Sequence, residues 1–262
     1  MTTSIERLRE DLRAEQLALD EVVADISEEQ WLHATPSPGW SVADQIAHLT
    51  YFDEAAASAI ADIERFLAER DALVAHASDI DQFTLAPLRQ LTPRELLERW
   101  RLARLALHEV SEDLADDARV EWFGPSMGAK SFLSARLMET WAHGTDVVDA
   151  LRATRQPTDR LAHVAQLGYN TRRWSYQVRG EAVPDGEVRL ELTSPSGALW
   201  TWSPDDADDT VRGPAEEFCL VVNQRRHLED TSLVAGELAT NWLQRAQAFA
   251  GAATLGPVKS TS

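Results

Sequence analysis

One stretch constrains this chain more than any other: residues 131–152, SFLSARLMETWAHGTDVVDALR. Its apolar side chains recur at helical spacing, which predicts one long helix. At about 100° per residue, Phe132, Ala135, Glu139, His143, Asp146 and Ala150 share a face. Leu133, Leu137, Trp141, Val148 and Leu151 lie on the other side. A carboxylate, an imidazole and a second carboxylate therefore look the same way, with small alanines leaving room beside them. Carboxylate oxygen and imidazole nitrogen suit zinc, nickel or iron. Helix bundles build metal sites from such Glu and His side chains on facing helices. The competing expectation is an ordinary solvated face, the default for polar residues opposite an apolar stripe. A metal also needs a third ligand from elsewhere in the chain.

The residues before this stretch predict further helices. Residues 4–25 carry Ile5, Leu8, Leu12, Leu17, Leu19, Val22 and Val23 at amphipathic spacing. A short helical turn is expected at 28–32, where Ser27 precedes Gln30 by three residues in a capping-box pattern. HATPSPGW, residues 33–40, reads as a loop. A second long helix starts at Ser41, with Asp44 in its first turn. Its apolar face runs from Val42 through Ile46, Leu49 and Phe52 to Ile63 and Leu67, with His48 at the edge and Asp53 within the apolar arc. Residues 71–91 predict a short helix and a connection. A third long helix opens on Thr92, Pro93 and Glu95, and a loop at 116–130 leads into the stretch described above. The architecture expected is α+β: a four-helix bundle over residues 1–156, then a small α/β domain over 157–262. In the latter, helix is expected at 158–178 and a hairpin at 187–202 around the turn SPSG. A short strand at 210–212, a break at Gly213-Pro214 and helices at 215–222 and 237–250 complete it.

Composition narrows the function classes. The formal net charge of −18 argues against nucleic acid and anionic membranes, which select basic surfaces. The single cysteine, Cys219, excludes an intramolecular disulfide and a cysteine-cluster metal site, and reads as a small buried side chain. No apolar run reaches the roughly 20 residues needed to span a bilayer, and the charged, helical N-terminus does not read as a secretory signal. A cytoplasmic location is expected.

If the second and fourth long helices are neighbours, His48 supplies the third ligand beside Glu139 and His143. Three protein ligands leave positions for water or substrate. The residues also carry a resemblance. TPSPGWSVADQIAHL, residues 35–49, followed by E-x-x-x-H at Glu139 and His143, resembles the DinB-like metal-binding bundles. More closely it is similar to the mycothiol-dependent maleylpyruvate isomerase group of actinobacterial proteins. That resemblance implies a DinB-like four-helix bundle joined to a small C-terminal domain of sterol-carrier-like type. It also implies a divalent metal (zinc first, then nickel or iron) on His48, Glu139 and His143, and mycothiol as the thiol cosubstrate.

Such a metal turns a small thiol into a thiolate nucleophile. The activity expected is a thiol transferase or isomerase acting on an electrophilic small molecule. A thiol-independent hydrolase or tailoring enzyme and a metal- or ligand-binding protein without turnover are the competing readings. Asp146 and Asp53 are candidates to orient an imidazole or relay a proton, and Lys130 and Arg136 to bind the cosubstrate. Arg225, Arg226 and His227 form a basic cluster expected to pair with Glu229 and Asp230. The sequence leaves a homodimer open.

Overall fold

The structure is a computed structural model that describes residues 4–75, 80–203 and 205–260. The chain divides into two compact units, Met1–Arg155 and Gln156–Ser262.

The first unit is built on four long helices: α1 (Ile5–Val23), α3 (Val42–Ala61), α6 (Pro93–Val110) and α7 (Ala129–Leu151). Helix α1 packs on α6 and α7, and α3 packs on the same two, which closes a four-membered ring. Each of α1, α3 and α6 starts at a side chain that satisfies an otherwise orphaned backbone donor. Ser4 caps α1, while Ser41 with Asp44 and Thr92 with Glu95 form full capping boxes. Short α2 (Glu28–Trp31) has the same device in Ser27 and Gln30. Trp100, Ile46, Leu49, Leu19 and Val147 meet in one apolar cluster at the centre. Asp20 of α1 takes both Arg101 and Arg104 of α6.

Three features differ from expectation. The second long helix does not run on to Leu67: Asp62 adopts φ −147°, ψ 79°, and α4 (Ile63–Ala75) restarts beyond it. Asp62 Oδ1 then accepts from Arg65 N at 3.1 Å, so one residue ends the first helix and caps the next. The 116–130 loop holds a small antiparallel ladder of β1 (Arg119–Val120) and β2 (Met127–Gly128). Helix α7 is not two-faced. Arg136, Thr140, His143 and Asp146 are buried as well as the apolar Leu133, Leu137 and Trp141, and Glu139 is half-buried, because the helix is flanked by α1 and α3. Residues 71–91 carry α5 (Ile80–Thr84) and a 3-10 turn, Leu88–Gln90; positions 76–79 of that expected segment lie outside the described residues.

The second unit is α+β. Helices α8 (Leu161–Asn170) and α9 (Arg172–Gln177) precede a four-stranded sheet of order β4-β3-β5-β6. Strand β3 (Val188–Thr193) pairs antiparallel with β4 (Leu199–Trp202) through the SPSG turn, where Gly197 has φ +87°. Val188, Leu190 and Leu192 alternate inward. Strand β5 (Asp209–Pro214) lies parallel to β3 and antiparallel to β6 (Val234–Ala235). The expected break at Gly213-Pro214 is strand instead: Leu192 pairs with Gly213 and Thr193 with Pro214. Gly213 sits at φ +143°, and a side chain there would meet Leu233 Cδ2 at 2.9 Å. Helices α10 (Ala215–Val222) and α11 (Glu237–Leu243) follow, the last shorter than expected. Among the described residues no helix is long and apolar enough to cross a membrane.

Candidate metal centre

The approach to α3 is a built turn. Pro38 and Gly39 occupy the corners of a type II turn, with Gly39 at φ +79° and Trp40 N donating to Ser37 O at 3.1 Å. Thr35 N donates to Trp40 O at 2.8 Å. Ser37 Oγ donates to Asp146 Oδ2 on α7 at 3.0 Å, and Trp40 Nε1 to Asp81 Oδ2 at 3.0 Å. Helix α3 then starts on a fastened end: Asp44 accepts from Ser41 N at 2.9 Å and from Arg89 Nε at 2.7 Å.

That start sets the angle of His48, which faces α7. His48 Nε2 and His143 Nε2 both approach Glu139 Oε2, at 3.5 and 3.1 Å. One donor atom from each of the three residues lies within 4.8 Å of the others. A tetrahedral zinc with ligands at about 2.0–2.2 Å separates neighbouring donors by about 3.3 Å, so two nitrogens and an oxygen at these spacings fit a divalent ion. The side chains are 18, 23 and 11 % exposed for His48, Glu139 and His143. Burial pushes the Glu139 carboxyl up, but hydrogen bonds and charge from His143 and His48 outweigh it and hold the group well below its ordinary value.

The direction of the hydrogen bonds behind His143 carries further information. Thr35 Oγ1 donates to Trp40 O at 2.9 Å, so it accepts from Gln45 Nε2 at 2.8 Å. The Gln45 carbonyl oxygen therefore faces His143 Nδ1, at 2.5 Å. An amide oxygen only accepts, so Nδ1 carries the hydrogen and the lone pair of a neutral His143 lies on Nε2. That lone pair faces a carboxylate oxygen. Two electron-rich atoms at 3.1 Å call for a cation between them, either a second proton or a metal ion.

Aromatic rings line this cluster. The His48 ring lies between Trp40 (5.2 Å) and Phe52 (4.6 Å), and Trp40 stacks on His143 at 5.9 Å. Phe52 contacts Trp122 and Phe123 from the 116–130 segment.

The remaining predicted site residues have other surroundings. Asp53 is fully buried: Arg136 Nη2 donates to its Oδ1 at 2.9 Å and Gln16 Nε2 to its Oδ2 at 3.2 Å. Burial pushes its carboxyl up against the pull of Arg136. The Asp53 and Arg136 side chains are 0 and 4 % exposed, and their pair fastens α3 to α7. Lys130 pairs with Asp116 at 2.7 Å, tying the start of α7 to the preceding loop. Asp146 holds the Ser37 turn, while Gln45 occupies the outer nitrogen of His143. Gln45 was not among the predicted residues, because a glutamine in a helical run carries no signal of its own. In the second unit Glu229 pairs with Lys259 at 2.7 Å and Asp230 accepts from Ser260 N at 2.8 Å.

Comparisons with known proteins place these observations. A family model described as the mycothiol maleylpyruvate isomerase N-terminal domain matches residues 12–148. Uncharacterized proteins of two strains of Mycobacterium tuberculosis are each 43 % identical over 242 residues, covering 92 % of this chain and 94 % of theirs. Among solved structures, the mycothiol-dependent maleylpyruvate isomerase superposes with a TM-score of 0.59 at 16 % identity, covering 90 % of this chain and 96 % of that one. A histidine-to-alanine mutant of that enzyme gives a TM-score of 0.58 at the same identity and coverage. At such identity the likeness speaks for the fold.

Proposed function

The chain belongs to the mycothiol maleylpyruvate isomerase N-terminal domain family, and from that premise we propose that it is a metal-dependent enzyme that handles a small thiol. His48, Glu139 and His143 would hold a divalent ion, zinc by preference. The thiol would be mycothiol and the second substrate an electrophilic small molecule. The observation that carries this reading is the convergence of two imidazole nitrogens on one carboxylate oxygen, at 3.1 and 3.5 Å.

When bound, such an ion supplies Lewis acidity that lowers the pKa of a thiol. The chain's own residues do the rest. Glu139 and the two histidines fix the place of the charge, and Gln45 keeps the Nε2 lone pair of His143 turned to it. Trp40 and Phe52 exclude water from the flanks of His48, which strengthens electrostatic interactions there. Two outcomes balance. In transfer, the thiol sulfur bonds to the electrophilic carbon, and the thiol proton goes to the leaving group or the adduct. In isomerisation, sulfur adds to one carbon of a cis double bond, the resulting single bond rotates, and the C–S bond breaks to return the thiol. Neither consumes a protein nucleophile, which agrees with Cys219 being fully buried in the other unit.

Elemental analysis of the purified protein is the test. One equivalent of transition metal is expected in the wild type, and none in His48→Ala or His143→Ala. Unchanged metal in both variants would sink the assignment. Turnover of an electrophile that needs both the metal and an added thiol would support the enzyme reading; turnover without thiol would favour a hydrolase.

A further inference from the structure

We infer that Gln45 and Thr35 are positioning residues: together they hold His143 in its metal-binding tautomer and tie that tautomer to the turn carrying Trp40. The inference rests on the metal reading above and adds to it two residues that touch neither metal nor substrate.

The argument is one of hydrogen-bond direction. Gln45 is fully buried, so each amide atom needs a partner. Its Nε2 goes to Thr35 Oγ1 at 2.8 Å and its Oε1 to His143 Nδ1 at 2.5 Å. The Thr35 hydroxyl spends its only hydrogen on Trp40 O, at 2.9 Å. The chain Trp40 carbonyl, Thr35 hydroxyl, Gln45 amide, His143 imidazole thus runs one way. Reversing the amide would place an N–H against Nδ1, move the ring hydrogen to Nε2, and block the nitrogen that faces Glu139. The relay begins in the turn that holds Trp40 stacked on the His143 ring. The metal-ligating form of His143 and the packing of that ring are therefore one arrangement. Linkage makes the coupling reciprocal: whatever the turn contributes to metal affinity, metal binding returns to the turn.

The test is metal affinity, measured by chelator competition with zinc and by the absorption of the cobalt-substituted protein, on folded variants of the full chain. Gln45→Leu is expected to bind about 10- to 100-fold more weakly, the usual cost of losing the group behind a ligating histidine. Gln45→Glu, which keeps an acceptor there, restores binding. Thr35→Val weakens binding and Thr35→Ser does not; this pair decides the matter if Gln45→Leu fails to fold. Nitrogen-15 NMR of the metal-loaded protein should show hydrogen on Nδ1 of His143. Metal should slow exchange of the Trp40 amide in the wild type and not in Thr35→Val. Wild-type affinity in both Gln45→Leu and Thr35→Val overturns the inference while leaving the metal site standing. A wild type that binds no metal overturns the metal reading and the inference together.

Discussion

At the scale of single residues, the bundle keeps its buried charges in directed pairs. Asp53 and Arg136 show what that costs and secures. Both side chains lie out of water, with 0 and 4 % exposed, so removing one partner strands the other. Arg136→Met is expected to cost about 3–5 kcal/mol at neutral pH. The sign of its pH dependence follows from Asp53. Burial raises that carboxyl, and Arg136 is the foremost group pulling it back. Without Arg136 it rises further. A group raised in the folded state contributes stability below its unfolded pKa and loses it as pH rises through the folded value. The variant's deficit should therefore be small near pH 4, about the unfolded value, and grow toward neutrality in urea unfolding at a series of pH values. A deficit independent of pH would mean that Asp53 is not the stranded charge.

At the scale of elements, helix ends matter as much as helix faces, and α3 is the case that bears on the site. The Asp44 carboxylate receives Ser41 and Arg89; burial raises it, but Arg89 and Ser41 prevail and hold it below its ordinary value. Stability from a lowered acid is present above its unfolded pKa and lost as pH falls through the folded one. Asp44→Asn should cost about 1–2 kcal/mol near pH 7, with the gap to wild type closing in acid below about pH 4. Thermal melts at pH 7 and pH 3.5 would read it, and an equal gap at both would refute the role of the charge. These ends are also where the sequence was easiest to read. Ser27, Ser41 and Thr92 each precede a Gln, Asp or Glu by three residues, and all three boxes form. The SPSG hairpin was legible for the same reason, because local chemistry signals it. The helical period marked α3 and α7 as helices but not as neighbours; that His48 meets Glu139 and His143 came from the family resemblance of residues 35–49 and the E-x-x-x-H pair. The break at Asp62 was not legible, because the apolar period continues across it and only the backbone departs. Nor was β6, two residues long, nor the passage of β5 through Gly213-Pro214, a pair that reads as a breaker. Gly213 is tolerated there because Leu233 packs where a side chain would stand. Gln45 stayed hidden because its meaning depends on Thr35 and His143, ten and ninety-eight positions away.

At the scale of the whole molecule, every residue argued for the metal centre belongs to Met1–Arg155, while Cys219 belongs to Gln156–Ser262. The single cysteine is therefore a reporter that does not disturb the site. It is fully buried, with Sγ against Leu161 O at 3.7 Å. Burial, with Glu216 adding to it, holds the thiol well above its ordinary value. Only the thiolate reacts with a disulfide reagent, so both shielding and the raised pKa oppose labelling until the second unit opens. Native protein should label with an aromatic disulfide at least about a hundredfold more slowly than protein in urea, because opening of a stable core is a minor population. The same slow rate in His143→Ala is expected, because the substitution lies in the other unit, and it would show that the variant still folds its second unit. Rapid native labelling would contradict the burial of Cys219, and rapid labelling in the variant alone would withdraw the metal result as evidence about ligation.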